Sequence, residues 1–176
     1  MEATTLRPLD DADLDGVSQL LSDPSLFGGL GLDGDPRGMR SPTAIRRKLE
    51  PLVASTEAAA WVVESGGLVG FALADWWWDA MTPSAHVVIG PRHRRMGHGG
   101  RAAREVVADL FSRTPAVIVQ YSAAGWDPGA LRFADAVGGS RCGAHRRTGI
   151  HEGRYHDTVV FALERSTWEE RHAAER

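Results

Sequence analysis

Between Ala85 and Leu110 the chain reads AHVVIGPRHRRMGHGGRAAREVVADL. A short apolar run enters a turn formed by Arg94, Arg95, Met96, Gly97, His98, Gly99 and Gly100, and a proline-free helical pattern leaves it. A turn of this kind presents free backbone N–H groups and the positive end of a helix to a phosphate. Gly97 and Gly99 let the backbone approach closely and adopt torsions that a side chain would oppose. Arg92, Arg94, Arg95, Arg101 and Arg104 add positive charge at the same place. The chemistry this pattern suits is the capture of a phosphorylated ligand.

The elements that must position the turn follow from periodicity. The helix after it is expected over about Gly99–Ser112, with Val106, Val107, Leu110 and Phe111 as an apolar stripe to dock on a sheet. The strand before it is expected at Ala85–Ile89, and the next strand at Ala116–Tyr121. Upstream, a strand at Thr4–Pro8 precedes a helix at Ala12–Leu21. A second helix runs over Pro42–Ala54, with Ser41 as N-cap and Pro42 in the first turn. Between the two lies a glycine-rich loop, Ser22–Ser41, whose length marks a functional segment. Strands at Ala59–Glu64 and Leu68–Trp77 form a hairpin around Ser65-Gly66-Gly67. Downstream come a helix at Pro128–Val137 and strands at Arg141–Ile150 and Tyr155–Glu164. The charged end, Ser166–Arg176, is expected to fray.

Length and composition narrow the class. The 176 residues suit one domain spanning 1–176, and 43% hydrophobic residues can build a substantial core. A net charge of −3 argues against a general nucleic-acid binder, so the local basic cluster suits a single anionic ligand. Cys142 is the only cysteine, which excludes an internal disulfide. The start Met-Glu-Ala lacks a signal-peptide pattern, and no apolar stretch approaches the roughly 20 residues that span a membrane. A cytoplasmic protein with no membrane partner and no metal is expected.

Two ligand families compete for the turn. Gly97-x-Gly99-x-x-Ala102 fits a dinucleotide fingerprint. That fingerprint calls for an acidic residue about 20 positions on, at the end of the next strand. Here that strand ends in Tyr121-Ser122. Arg94-x-x-Gly97-x-Gly99, following a strand and Pro91, instead resembles the acyl-CoA signature of the GNAT N-acetyltransferases. The opening Thr4–Asp10 resembles the first strand of that family, and Asp127–Gly138 resembles its fourth helix. The segment Arg147–Trp168 resembles the closing hairpin of the ribosomal-protein (Rim-type) branch.

The resemblance implies an α/β (α+β) fold. It has a central mixed, mostly antiparallel seven-stranded sheet flanked by about four helices, in the order β-α-α-β-β-β-α-β-α-β-β. It implies transfer of an acetyl group from acetyl-CoA to a primary amine by direct attack in a ternary complex. The acceptor would be a small molecule or a protein N-terminus. Val87, Val88 and Ile89 would meet the pantetheine arm, Arg94–Gly100 the pyrophosphate, and Asp127 would stand where the family has an asparagine. The family's fourth-helix tyrosine is replaced by Ala134.

The remaining proton-transfer candidates are Tyr121, at the end of its strand, and His86, which titrates in the useful range. Strand alternation aims His86 at the face opposite Val87. Phe27, Trp76 and Trp78 are candidates for the acceptor pocket, and Asp75 and Asp79 could attract a cationic amine. Asp157 is expected to be structural in the last hairpin. A homodimer is implied by the branch. A non-catalytic acyl-CoA-binding or sensing domain, and transfer of a longer acyl group, are the alternatives.

Overall fold

A computed structural model describes residues 3–23, 26, 41–76, 79–151 and 153–173. Seven strands form one sheet: β1 (Thr5–Pro8), β2 (Ala58–Glu64), β3 (Leu68–Asp75), β4 (Ser84–Ile89), β5 (Ile118–Ala124), β6 (Ser140–His151) and β7 (Arg154–Glu164). Their spatial order is β1-β2-β3-β4-β5-β7-β6. Every neighbouring pair is antiparallel except β4 and β5, which are parallel. The described helices are α1 (Leu14–Leu21), α2 (Pro42–Leu49), α3 (His98–Arg113), α4 (Pro128–Val137) and α5 (Arg165–Ala173).

The starts of α1, α2 and α4 have local causes. The Ser41 hydroxyl accepts from the Ala44 N–H, and Pro42 occupies the first turn of α2. The Asp127 carboxylate accepts from the Gly129 and Ala130 N–H groups at the start of α4. A short 3-10 turn, Asp11–Asp13, leads into α1 through a capping box between Asp10 and Asp13. Arg7 fixes this corner: its guanidinium meets both Asp13 carboxylate oxygens at 2.6 Å and Glu64 on β2 at 2.9 Å.

Two cores lie on opposite faces of the sheet. Leu14, Val17, Ile45 and Leu49 from α1 and α2 pack on Val62, Phe71 and Val88. Val106, Val107, Leu110 and Ala134 from α3 and α4 pack on Ala72, Ala85, Val119 and Phe161. Alternation along the strands assigns every other side chain to one of these faces.

The chain's end is helical where fraying was expected. The Arg165 guanidinium donates to the carbonyls of Phe111, Thr114 and Ala116, closing the C-terminus of α3, and also lies 4.9 Å from the Phe111 ring centroid. Trp168 packs on Phe111 with ring centroids 6.3 Å apart. Arg171 donates to the Gly138 carbonyl at the end of α4. Cations at helix C-termini satisfy the last carbonyls and the helix dipole, so α5 is held by partners distant in sequence.

A split sheet beside an uncapped helix

The parallel pairing of β4 with β5 covers only Ser84–Gln120 and Ala85–Tyr121, and beyond it the strands diverge. The backbone bonds show which groups are left facing the gap. The Gly90 N–H bonds the Val69 carbonyl at 2.9 Å, so even-numbered residues of β4 turn their backbone groups toward β3. The Gln120 N–H bonds the Pro83 carbonyl at 2.9 Å, so odd-numbered residues turn theirs toward β5. The N–H and C=O of Val87 and the N–H of Ile89 therefore point into the split. The Ile89 carbonyl accepts from Arg94 Nε at 3.3 Å, which ties the following turn to the strand.

That turn carries two left-handed residues, Arg95 at φ 64° and Gly97 at φ 86°. A Cβ added at Gly97 would meet nothing within 4 Å, so its torsion, not crowding, calls for glycine. Gly97 is also the N-cap of α3 and supplies no side-chain acceptor. The Arg101 N–H bonds the Gly97 carbonyl at 3.2 Å. The N–H groups of His98, Gly99 and Gly100 thus have no side-chain cap, unlike those that open α2 and α4. Such an end attracts an anion.

Split and turn open into one cavity of about 820 Å³. Val87, Val88, Ile89, Arg94, Arg95, Gly97, Gly99, Gly100 and Asp127 line it, together with His86 and Tyr121. Its wall includes residues from both faces of the sheet, for example Phe133 on one side and Leu26 on the other. Asp127 Oδ1 is occupied as the α4 cap, accepting from Gly129 and Ala130 at 2.8 and 3.2 Å.

Several side chains lie elsewhere than their sequence positions suggested. His98 turns away from the cavity into the core, where Nδ1 lies 2.9 Å from Thr4 Oγ1 on the far side of α3. Only its backbone stays at the helix start. Met96 is exposed and does not line the cavity. Trp76 packs against the core under α3 and α4 and is likewise outside the lining. Phe27 and Trp78 lie outside the described residues. Trp126, Arg132 and Phe133 also line the cavity. The DPGALRF pattern placed a helix here but could not say which side faces the split.

Tyr121 stands at the fork, yet its hydroxyl is engaged. It donates to the Ala134 carbonyl at 3.0 Å, accepts from the Gly139 backbone, and its ring stacks on Phe161 with centroids 5.7 Å apart. Burial pushes the phenol up to about 12. These contacts lock the C-terminal end of α4 to β5, and the proton expected to move is held on the Ala134 carbonyl. Tyr121→Phe is therefore expected to cost about 1–2 kcal/mol in a denaturant titration, because buried partners lose their hydrogen bonds, while turnover stays near wild type. A folded value above the ordinary one means the phenol's contribution is intact below about pH 10. It is lost as the pH rises through about 12.

His86 shares the α1/α2 face with Val88, as alternation requires. Burial lowers its imidazole below the ordinary histidine value, and the Asp75 carboxylate works against that shift. Asp157 is structural: its Oδ1 accepts from the Arg147 N–H at 3.0 Å inside the irregular β6–β7 register, and its carbonyl accepts from the Gly125 N–H at 2.8 Å. Among the described residues no group of three or more His, Cys, Asp or Glu is placed to hold a metal ion. Among them, too, no helix is long and apolar enough to cross a membrane.

No protein-family model matches the chain, and no curated protein matches it. Solved structures do. The spermidine N-acetyltransferase of Vibrio cholerae, in complex with CoA and spermine, aligns over 94% of this chain and 98% of its own, with a TM-score of 0.81 and 17% identity. Aminoglycoside acetyltransferase AAC(6')-Ib, in complex with coenzyme A, aligns over 96% and 98%, with a TM-score of 0.76 and 17% identity. A GNAT-family acetyltransferase of Bacillus anthracis aligns over 93% and 95%, with a TM-score of 0.76 and 16% identity. The chain has the fold of these acetyltransferases.

Proposed function

We propose that the protein is an acetyl-CoA-dependent N-acetyltransferase. The observation that carries the reading is the two-pair β4–β5 ladder, which leaves Val87 backbone groups facing a cavity beside an uncapped helix start. An extended amide-bearing arm can pair with such an edge as an added strand. The phosphates would be held by the N–H groups of His98, Gly99 and Gly100, with Arg94 and Arg95 adding charge. The open space at Gly97 and its left-handed torsion fit the approach of a bulky anion. The bound thioester supplies the activated acetyl group. This chain's part is to align it and to offer the Val87 or Ile89 N–H to its carbonyl oxygen.

The acceptor in this reading is a primary amine of a small molecule, with a protein N-terminus as the second class. The spermidine and aminoglycoside enzymes that share the fold act on the first kind. A homodimer belongs to the same reading through the Rim-type likeness of the Arg147–Trp168 segment. A non-catalytic acyl-CoA-binding domain is the second reading. It is favoured by the engaged Tyr121 hydroxyl and by Ala134 on α4.

Calorimetry with acetyl-CoA, followed by thiol release with spermidine, kanamycin and a free-amine peptide, separates the two readings. Binding with amine-dependent release is expected. Binding with no release from any acceptor supports the sensor, and absence of binding refutes both.

A further inference from the structure

We propose that His86 and Asp75 form a proton-accepting pair on the α1/α2 face of the split, which receives a cationic amine there. This inference rests on the acetyltransferase reading and assigns that site a proton acceptor and a class of acceptor. In the β3–β4 register His86 is paired with Leu73 and Asp75 with Ser84, so the two side chains are diagonal neighbours on one face. It is the face of Phe71 and Val88, opposite the one packed by α3 and α4.

His86 is part of the cavity wall, beside the space in which the Val87 backbone groups are presented. Ser84 and Gln120 share its face at the first of the two paired rungs, and Ser122 follows on β5, beyond the second. Leu26, Val88, Ser122 and Ala124 line the cavity on this side and carry no charge. Among the described residues, Asp75 is the charged group that acts on His86. The other titratable groups on the wall lie in the turn after β4, on α4 or at its cap: His93, Arg94, Arg95, Arg132 and Asp127. Tyr121 is committed to α4.

The arrangement matches what an ammonium needs before it can attack. The half-buried Asp75 carboxylate, a diagonal neighbour of His86, attracts a cation to the α1/α2 face of the sheet. The neutral imidazole then takes one proton from R–NH3+. The freed lone pair attacks the thioester carbonyl carbon, the C–N bond forms and the C–S bond breaks. The second proton lost from nitrogen goes to the leaving thiolate, giving the thiol and the amide. The imidazolium, stabilised meanwhile by Asp75, returns its proton to solvent. His86 is the catalytic residue in this scheme and Asp75 a positioning residue.

The test combines titration with kinetics. In the NMR spectrum of the protein alone, the His86 imidazole, identified by its loss in His86→Gln, should titrate below the ordinary histidine value. It should titrate lower still in Asp75→Asn. With spermidine as acceptor, His86→Gln should lower kcat by about 100-fold or more and abolish the acid limb of the pH profile. Its acetyl-CoA affinity, read by calorimetry, should stay within about twofold, since no CoA contact is removed. Asp75→Asn should move the acid limb toward lower pH by the same interval as the NMR shift.

An unmoved His86 titration in Asp75→Asn overturns the pair. So does a His86→Gln enzyme with wild-type kcat and pH profile. Acetyl-CoA binding without acetylation of spermidine, kanamycin or a free-amine peptide overturns the cationic acceptor while leaving the cofactor site standing. Failure of acetyl-CoA to bind the wild-type chain refutes the acetyltransferase reading itself.

Discussion

Replacing Gly99 by tryptophan is expected to weaken binding of the proposed acetyl-CoA by about 100-fold or more, since overpacking costs about 1–3 kcal/mol and also removes the space a ligand would use. Gly99 sits where the start of α3, the end of β4 and α4 converge. A Cβ there would lie 3.3 Å from Phe133 Cε2 and 3.5 Å from Ile89 Cγ1. Phe133 is only partly buried, so it can swing aside and the fold survives. Calorimetry and circular dichroism together check both halves of this statement; full affinity in a folded variant contradicts it. Gly97 separates torsion from size at the same site. It has open space but φ 86°, so the expected order of affinity is Gly, then Asn, then Ala, then Val at this position.

Val87→Pro is expected to lower kcat by about 100- to 1,000-fold, the scale seen when a backbone-like donor to a developing oxyanion is removed. The Val87 N–H points into the split, so proline there breaks no bond to β3. The preceding residue, His86, is already extended, as proline demands. Val88→Pro is the control. The Val88 N–H faces β3, and that variant should lose about 3 kcal/mol or more in stability, because a central ladder bond and buried packing go together. Thermal melts and steady-state kinetics of the two variants should therefore diverge. A stable, fully active Val87→Pro enzyme would show that this N–H takes no part.

What could be read in the sequence was local. Ser41 before Pro42 carries its reason within a few residues, and it caps α2 as read; Gly97 adopts the left-handed torsion that its place in the turn suggested, while Asp127, read as a cofactor contact, caps α4. Alternation placed His86 opposite Val87 for the same reason. What the sequence did not reveal was non-local. His98 looked like part of the anion turn, but its ring is claimed by Thr4, 94 residues away. Tyr121 looked free to move a proton, but the carbonyl it bonds belongs to a helix whose docking no short pattern reveals. The last segment looked frayed because Arg165 finds its three carbonyl acceptors around the end of α3. Trp76 lay at the end of an apolar run, where counting from a misplaced boundary cannot tell core from pocket.

The two-rung junction between β4 and β5 also bears on how long the molecule lasts. It joins β1–β4 to β5–β7 through few backbone bonds, and α3 bridges them. A ligand that supplies the missing rungs becomes part of the sheet. By linkage it adds about 2.7 kcal/mol of folding stability when present at 100 times its dissociation constant. If the ligand is the acetyl-CoA proposed above, it is expected to raise the protein's folding stability as well as to feed its reaction.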